Sequence, residues 1–212
     1  PPEAAPPITA RQMVDALLQQ HFVPLAQTLQ SHAQALEASL QNPHADWSAH
    51  RSPWIATMLA WETLAAVAVG PVLENRSARA IDFWPTRPAQ IQRILDSGLA
   101  GLTDVRSLET VGSSARGLPA LEWLLYKTSG SPHARSLALL LAQQVRQEFD
   151  TLQAGFAQLA RTERDEAQAW SLYSEWFGQA VGGLEQLRIK KMVADTWGKD
   201  SSPWVRGLSG QA

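Results

Sequence analysis

Apolar residues recur at three- and four-residue intervals from Met13 to Leu40, through Leu17, Leu18, Phe22, Leu25, Leu29, Ala33 and Leu36, with glutamines and charges between them. That period predicts an amphipathic helix beginning after Thr9 as N-cap and running towards Gln41, bent at Pro24 where one backbone donor is missing. A loop from Asn42 to Arg51 follows. Ser52-Pro53, a capping residue before a first-turn proline, predicts the start of a second helix that carries Trp54, Met58, Trp61 and Ala65 and puts both tryptophans on one face. Gly70-Pro71 ends or interrupts it. Residues 80–88 are too rich in proline and aromatics for a regular element and read as an ordered loop. A short helix then spans Pro88 to Asp96 and stops at Gly98.

Beyond a loop around Thr103 to Ser114, Leu118, Leu121, Leu124 and Leu125 form the apolar face of a helix starting at Leu118 or Pro119. Ser131-Pro132 opens a long helix to roughly Ala160, lined by Leu137, Leu140, Leu141, Val145, Phe149, Leu152 and Phe156. The last helix is predicted near Thr162, with Asp165 and Glu166 at its positive end, and continues through Trp170, Tyr173 and Phe177 to Val181. Gly182-Gly183 is a place for a bend, after which the pattern resumes through Met192. Alternating strand patterns are missing. Long helices with short connections predict an all-α fold, an up-and-down bundle of antiparallel helices.

Composition narrows the function. The 212 residues carry 18 basic and 20 acidic side chains, a formal charge of −2, which gives no electrostatic footprint for nucleic acid or an anionic membrane. Cysteine is absent, so thiolate metal sites, cysteine nucleophiles and disulfides are excluded. The apolar run from Trp54 to Leu73 contains Glu62, and a charge near a bilayer centre costs about 2.5–3.5 kcal/mol, so it reads as a buried helix instead of a membrane span. Residues 1–8, rich in proline and alanine, read as a flexible leader, 9–195 as the bundle, and 196–212 as a segment leading towards a second, missing bundle.

Glu122 is the one carboxylate inside the apolar segment from Arg116 to Tyr126. This segment resembles the signature of the imelysin-like family, in which a Gly-x-His-x-x-Glu pattern sets a histidine and a glutamate one helical turn apart. Gly117 and Glu122 match the pattern, while Pro119 stands where the histidine would be. Three weaker patches support the resemblance by their order: Trp61 in its Ala-Trp-rich helix, Ile81 to Pro85, and Gly198 to Ser202. The resemblance implies a helical bundle, a polar cleft, and a periplasmic or outer-envelope lipoprotein of bacteria. It also implies a link to iron acquisition and a proposed metallopeptidase activity. With Pro119 in place of histidine, the expectation is a binding protein for iron or another divalent or trivalent metal ion, or a small ligand, without peptidase activity. Its membrane association would come only through an N-terminal lipid anchor, and an envelope protein is the expected partner. The site expected from these patches has Glu122 as metal ligand, Asp82 and Arg116 as polar neighbours, and Trp61 and Trp84 as walls.

Two alternatives stay open on the residues. A metal-dependent hydrolase using Glu122 would need further ligands around an open water position, for which Glu62, Asp82 and Glu109 are candidates. A structural or partner-binding domain would instead have Glu122 pair with Arg116 or another arginine to fix helix packing. His44, Asp46 and His50 match no metal spacing and read as a solvated loop. His21, His32 and His133 have no sequence-adjacent partner, and Ser113-Ser114 lack a nucleophile-elbow pattern. Of nine tryptophans, Trp54, Trp61, Trp123, Trp170 and Trp176 are predicted to fill the core, whereas Trp84, Trp197 and Trp204 are candidates to line a cleft or cover a bundle end. Arg188, Lys190 and Lys191 suit a helix C-terminus.

Overall fold

The computed structural model describes residues 7–186, and these contain helices and no strand. The leader up to Pro6, the helical continuation to Met192, the basic group at 188–191, Trp197, Trp204 and the patch at 198–202 lie outside the described residues. Helix α1 (Ala10–Leu17) begins where predicted, because Thr9 and Gln12 cap each other: the Thr9 hydroxyl accepts from the Gln12 amide at 3.2 Å and the Gln12 side chain accepts from the Thr9 amide at 2.9 Å. It passes through a π-helical turn, Leu18–Phe22, into α2 (Val23–Gln41). The Val23 amide reaches back to the Leu18 carbonyl across this wide turn. The turn falls immediately before Pro24, where an ordinary helix would set the proline ring against a carbonyl. The predicted bend is therefore taken up as one expanded turn in an otherwise continuous rod.

Helix α3 (Arg51–Ala65) follows a 3-10 turn, Trp47–His50. Short helices α4 (Pro71–Glu74), α5 (Ser77–Ile81) and α6 (Pro88–Asp96) precede α7 (Gly117–Lys127), α8 (Pro132–Arg161) and α9 (Glu166–Gln186). The Ser131 hydroxyl accepts from the Ala134 amide, as its position before Pro132 predicts. Thr162 corrects the predicted start of the last helix. Its amide closes the end of α8 on the Gln158 carbonyl at 3.1 Å, and Asp165 caps α9 through a reciprocal pair with Gln168. Helix α8 lies along both α2 and α7, and α3 flanks α2, which gives the all-α bundle that the periodicity implies. No described helix is long and apolar enough to cross a membrane.

Two expectations about side chains change. Trp54, Trp61 and Trp176 are buried as predicted, Trp123 is half-buried, but Trp170 is 58% exposed. Helix α9 packs on α1 through the face bearing Ala169 and Trp176, which turns Trp170 and Phe177 outward. His44 and Asp46 are exposed as expected of a loop, whereas His50 is fully buried. The Nδ1 atom of His50 lies 2.8 Å from the Ser39 hydroxyl and its ring stands edge-on to Trp47. Trp47 in turn donates to the Leu124 carbonyl and carries the Arg135 guanidinium over its ring. Distant partners bury Trp47 and His50 at the end of this loop, and no local spacing announces them.

Burial, followed by the nearby Arg135 charge, holds the His50 imidazole below its ordinary value near 6.5. The folded state therefore takes up this proton at lower pH than the unfolded chain, which does so as pH falls past 6.5. His50 thus favours folding at neutral pH, and that contribution is lost on acidification from about 6.5 downward, at up to ~1.4 kcal/mol per pH unit. Urea unfolding followed between pH 7.5 and 5 should show this slope in the wild type. It should flatten in His50→Gln; an equal slope in both would remove His50 as its source.

Candidate functional site

The start of α7 is pressed against the end of α5. Gly117 has φ +72°, and a Cβ placed on it would lie 2.3 Å from the Ile81 carbonyl oxygen and 2.9 Å from that of Ala80. Only glycine accepts both the left-handed backbone and this approach. From α8, the Gln144 amide donates to the Ala80 carbonyl at 3.0 Å, so a third helix meets one of the same two carbonyls. Asp82 follows directly on Ile81 and is half-buried, as is Arg116 on the other side of the contact. Arg116 donates from Nη1 to the Leu108 carbonyl at 3.2 Å, which ties the junction to the 3-10 turn Arg106–Thr110.

Glu148, one turn beyond Gln144 on α8, completes this polar junction. Burial pushes its carboxyl above the usual range, and the Arg116 guanidinium opposes that shift. Oε1 of Gln144, Oγ of Ser77 and Nε of Arg116 are buried without hydrogen-bond partners among the described residues. An interior with unsaturated donors and acceptors is suited to hold ordered water or a small polar ligand.

The expected site residues distribute as follows. Asp82 and Arg116 come to one junction through the Gly117–Ile81 contact. Glu122 is half-buried, six residues beyond Arg116 and so roughly 9 Å along the α7 axis. Its charge is felt one turn on at Tyr126, whose hydroxyl is raised by burial, lowered by Arg51 and raised by Glu122. The Tyr126 ring lies under the Arg51 guanidinium at 4.5 Å and edge-on to Trp54 at 6.1 Å. Trp84 is 40% exposed, two residues past Asp82. Trp61 does not form a wall: it is 1% exposed and stacks on Phe149 at 6.0 Å, with 17° between the rings. Sequence reasoning missed Gln144 and Glu148. Their signal was polarity at positions flanking the apolar stripe of α8, between Leu141, Val145 and Phe149.

The donor set bears on metal binding. Among the described residues no three His, Asp or Glu side chains gather as a cation site would require. Pro119, one turn before Glu122, is buried and offers no ligand atom. The described side chains therefore do not form a complete metal centre.

An all-α bundle whose signature helix docks through a glycine onto a short preceding helix, over an interior polar junction, defines the class of fold. Residues 18–202 match the family model described as Imelysin, Peptidase_M75, and the chain belongs to the imelysin family. The crystal structure of an imelysin-like protein from Psychrobacter arcticum 273-4 is similar in fold, with a TM-score of 0.69 and 16% identity. The match covers 88% of this chain and 64% of that one, so the chain spans less than two thirds of that structure's length. No curated protein sequence matches it.

Proposed function

We propose that this chain is an envelope-associated binding protein of the imelysin family, periplasmic or lipid-anchored, that takes part in iron or other metal acquisition without peptidase activity. The observation that carries this reading is the makeup of the α7 signature: Gly117 and Glu122 are retained, while buried Pro119 occupies the place of the family's histidine. Loss of that ligand removes the means of holding a catalytic ion between two side chains one turn apart. A half-buried carboxylate near a polar junction still suits capture of a hard cation as cargo, with the remaining ligands supplied by water or by the cargo's own chelator. Asp82, Arg116 and Trp84 are the neighbours proposed to shape that site, and Gln144 and Glu148 join them from α8.

A purely structural or partner-binding role is favoured by one observation, the lack of a three-ligand cluster among the described residues. Calorimetric titration of the metal-stripped protein with ferric, ferrous, zinc and calcium ions, with Glu122→Ala in parallel, separates the two. Stoichiometric binding that weakens at least tenfold in Glu122→Ala supports capture at this site. Heat-silent titrations for both proteins would transfer the assignment to the structural role.

A further inference from the structure

Among the described residues, nothing covers a second apolar stripe on helix α9. Trp170, Phe177, Val181 and Leu184 are 58%, 61%, 49% and 67% exposed, and half-buried Tyr173 stacks on Trp170 at 5.9 Å. At about 100° per residue these five side chains fall within roughly 80° of arc, one continuous face. At those exposures Trp170 and Phe177 each leave on the order of 100 Å² of ring surface in water. Ile8 is a further exposed apolar side chain, at 73%. It sits beside the first turn of α9, because the Glu166 carboxylate accepts from the Ala10 amide at 2.6 Å. The sum reaches the few hundred Å² at which apolar patches on monomers mark interfaces.

The spacing of the stripe selects its occupant. The steps from Trp170 to Tyr173, Phe177, Val181 and Leu184 are three, four, four and three residues, a series that reads the same in reverse. Two such helices laid antiparallel about a twofold axis at Phe177 come into register along the whole stripe. Trp170 then faces Leu184, Tyr173 faces Val181, and Phe177 meets its own copy, so each bulky aromatic opposes a smaller aliphatic except at the axis. The flanks allow close approach: Ala167, Ser174 and Gly178 are small, and a Cβ on Gly178 would meet nothing within 4 Å. A helix of 21 residues runs about 31 Å. Packing along that length together with Ile8 approaches the ~800 Å² per partner of a standard interface. Helix α9 carries Glu166, Glu175 and Glu185 and no Lys or Arg, which opposes adsorption to an anionic bilayer.

We propose that the α9 stripe is an isologous, antiparallel homodimer interface centred on Phe177. The chain contains no cysteine, so single cysteines report its geometry without background. Sedimentation of the 212-residue chain should give a mass that rises to two chains in the micromolar range, and Phe177→Asp should weaken association at least tenfold with unchanged helicity. On oxidation Phe177→Cys should cross-link to a dimer, Trp170→Cys alone should not, and Trp170→Cys mixed with Leu184→Cys should. A monomeric mass at all concentrations, a dimer indifferent to Phe177→Asp, or self-cross-linking by Trp170→Cys as in a parallel pair would each overturn the proposal.

Discussion

Replacing Gly117 by alanine should destabilise the protein by about 2–5 kcal/mol, because two independent costs meet at this residue. The left-handed backbone, φ +72°, costs a residue with a side chain about 1–2 kcal/mol. The added Cβ would also sit 2.3 Å from the Ile81 carbonyl oxygen, and this neighbour is backbone that cannot rotate aside. Pushing α5 away from α7 adds about 1–3 kcal/mol of overpacking. For a chain of this size the unfolding midpoint should fall by roughly 5–15 °C. Gly101 supplies the comparison, since it has φ +80° and nothing within 4 Å of an added Cβ. Gly101→Ala should show the backbone cost alone. Equal losses in the two variants would mean that the α5–α7 contact is slack, and the junction of Asp82 with Arg116 would lose its support.

That glycine also shows how far the sequence could be read. Local signals were sufficient at Thr9 and at Ser131 with Pro132, though not at Ser52, which lies inside α3 instead of capping it, and the limits of α6 fell at Pro88 and Asp96 as the proline and Gly98 implied. The convergence of Asp82 and Arg116 was legible only through the signature around Gly117, since nothing in the spacing of 34 residues predicts that contact. Glu148 and Gln144 stayed hidden because a long helix carries many polar residues, and only the arrival of α5 and α7 decides which of them turn inward. Helix α9 misled for a related reason. Its apolar positions occupy two faces, and periodicity cannot tell which face meets α1, so Trp176 is buried while Trp170 stands in water. The start expected near Thr162 moved to Asp165 because Thr162 is taken up in closing the end of the preceding helix.

Truncation of Trp61 distinguishes a core residue from a wall of the proposed binding site. The ring is 1% exposed and stacked on Phe149 of α8, which is itself fully buried. Trp61→Ala should therefore cost about 3–5 kcal/mol, from lost apolar transfer and from the cavity left between α3 and α8. Trp61→Phe keeps an aromatic face against Phe149 and should recover more than half of that loss. Denaturant midpoints for the two variants against wild type measure both steps. If Trp61 lined an open cleft, alanine would cost under about 1 kcal/mol, as surface substitutions do, and the effect would appear in ligand titration instead. A large stability loss with ligand affinity preserved in Trp61→Phe would locate the recognition surface at the polar junction of α5, α7 and α8. The tryptophan would then act by holding α3 against α8, which also carries Gln144 and Glu148.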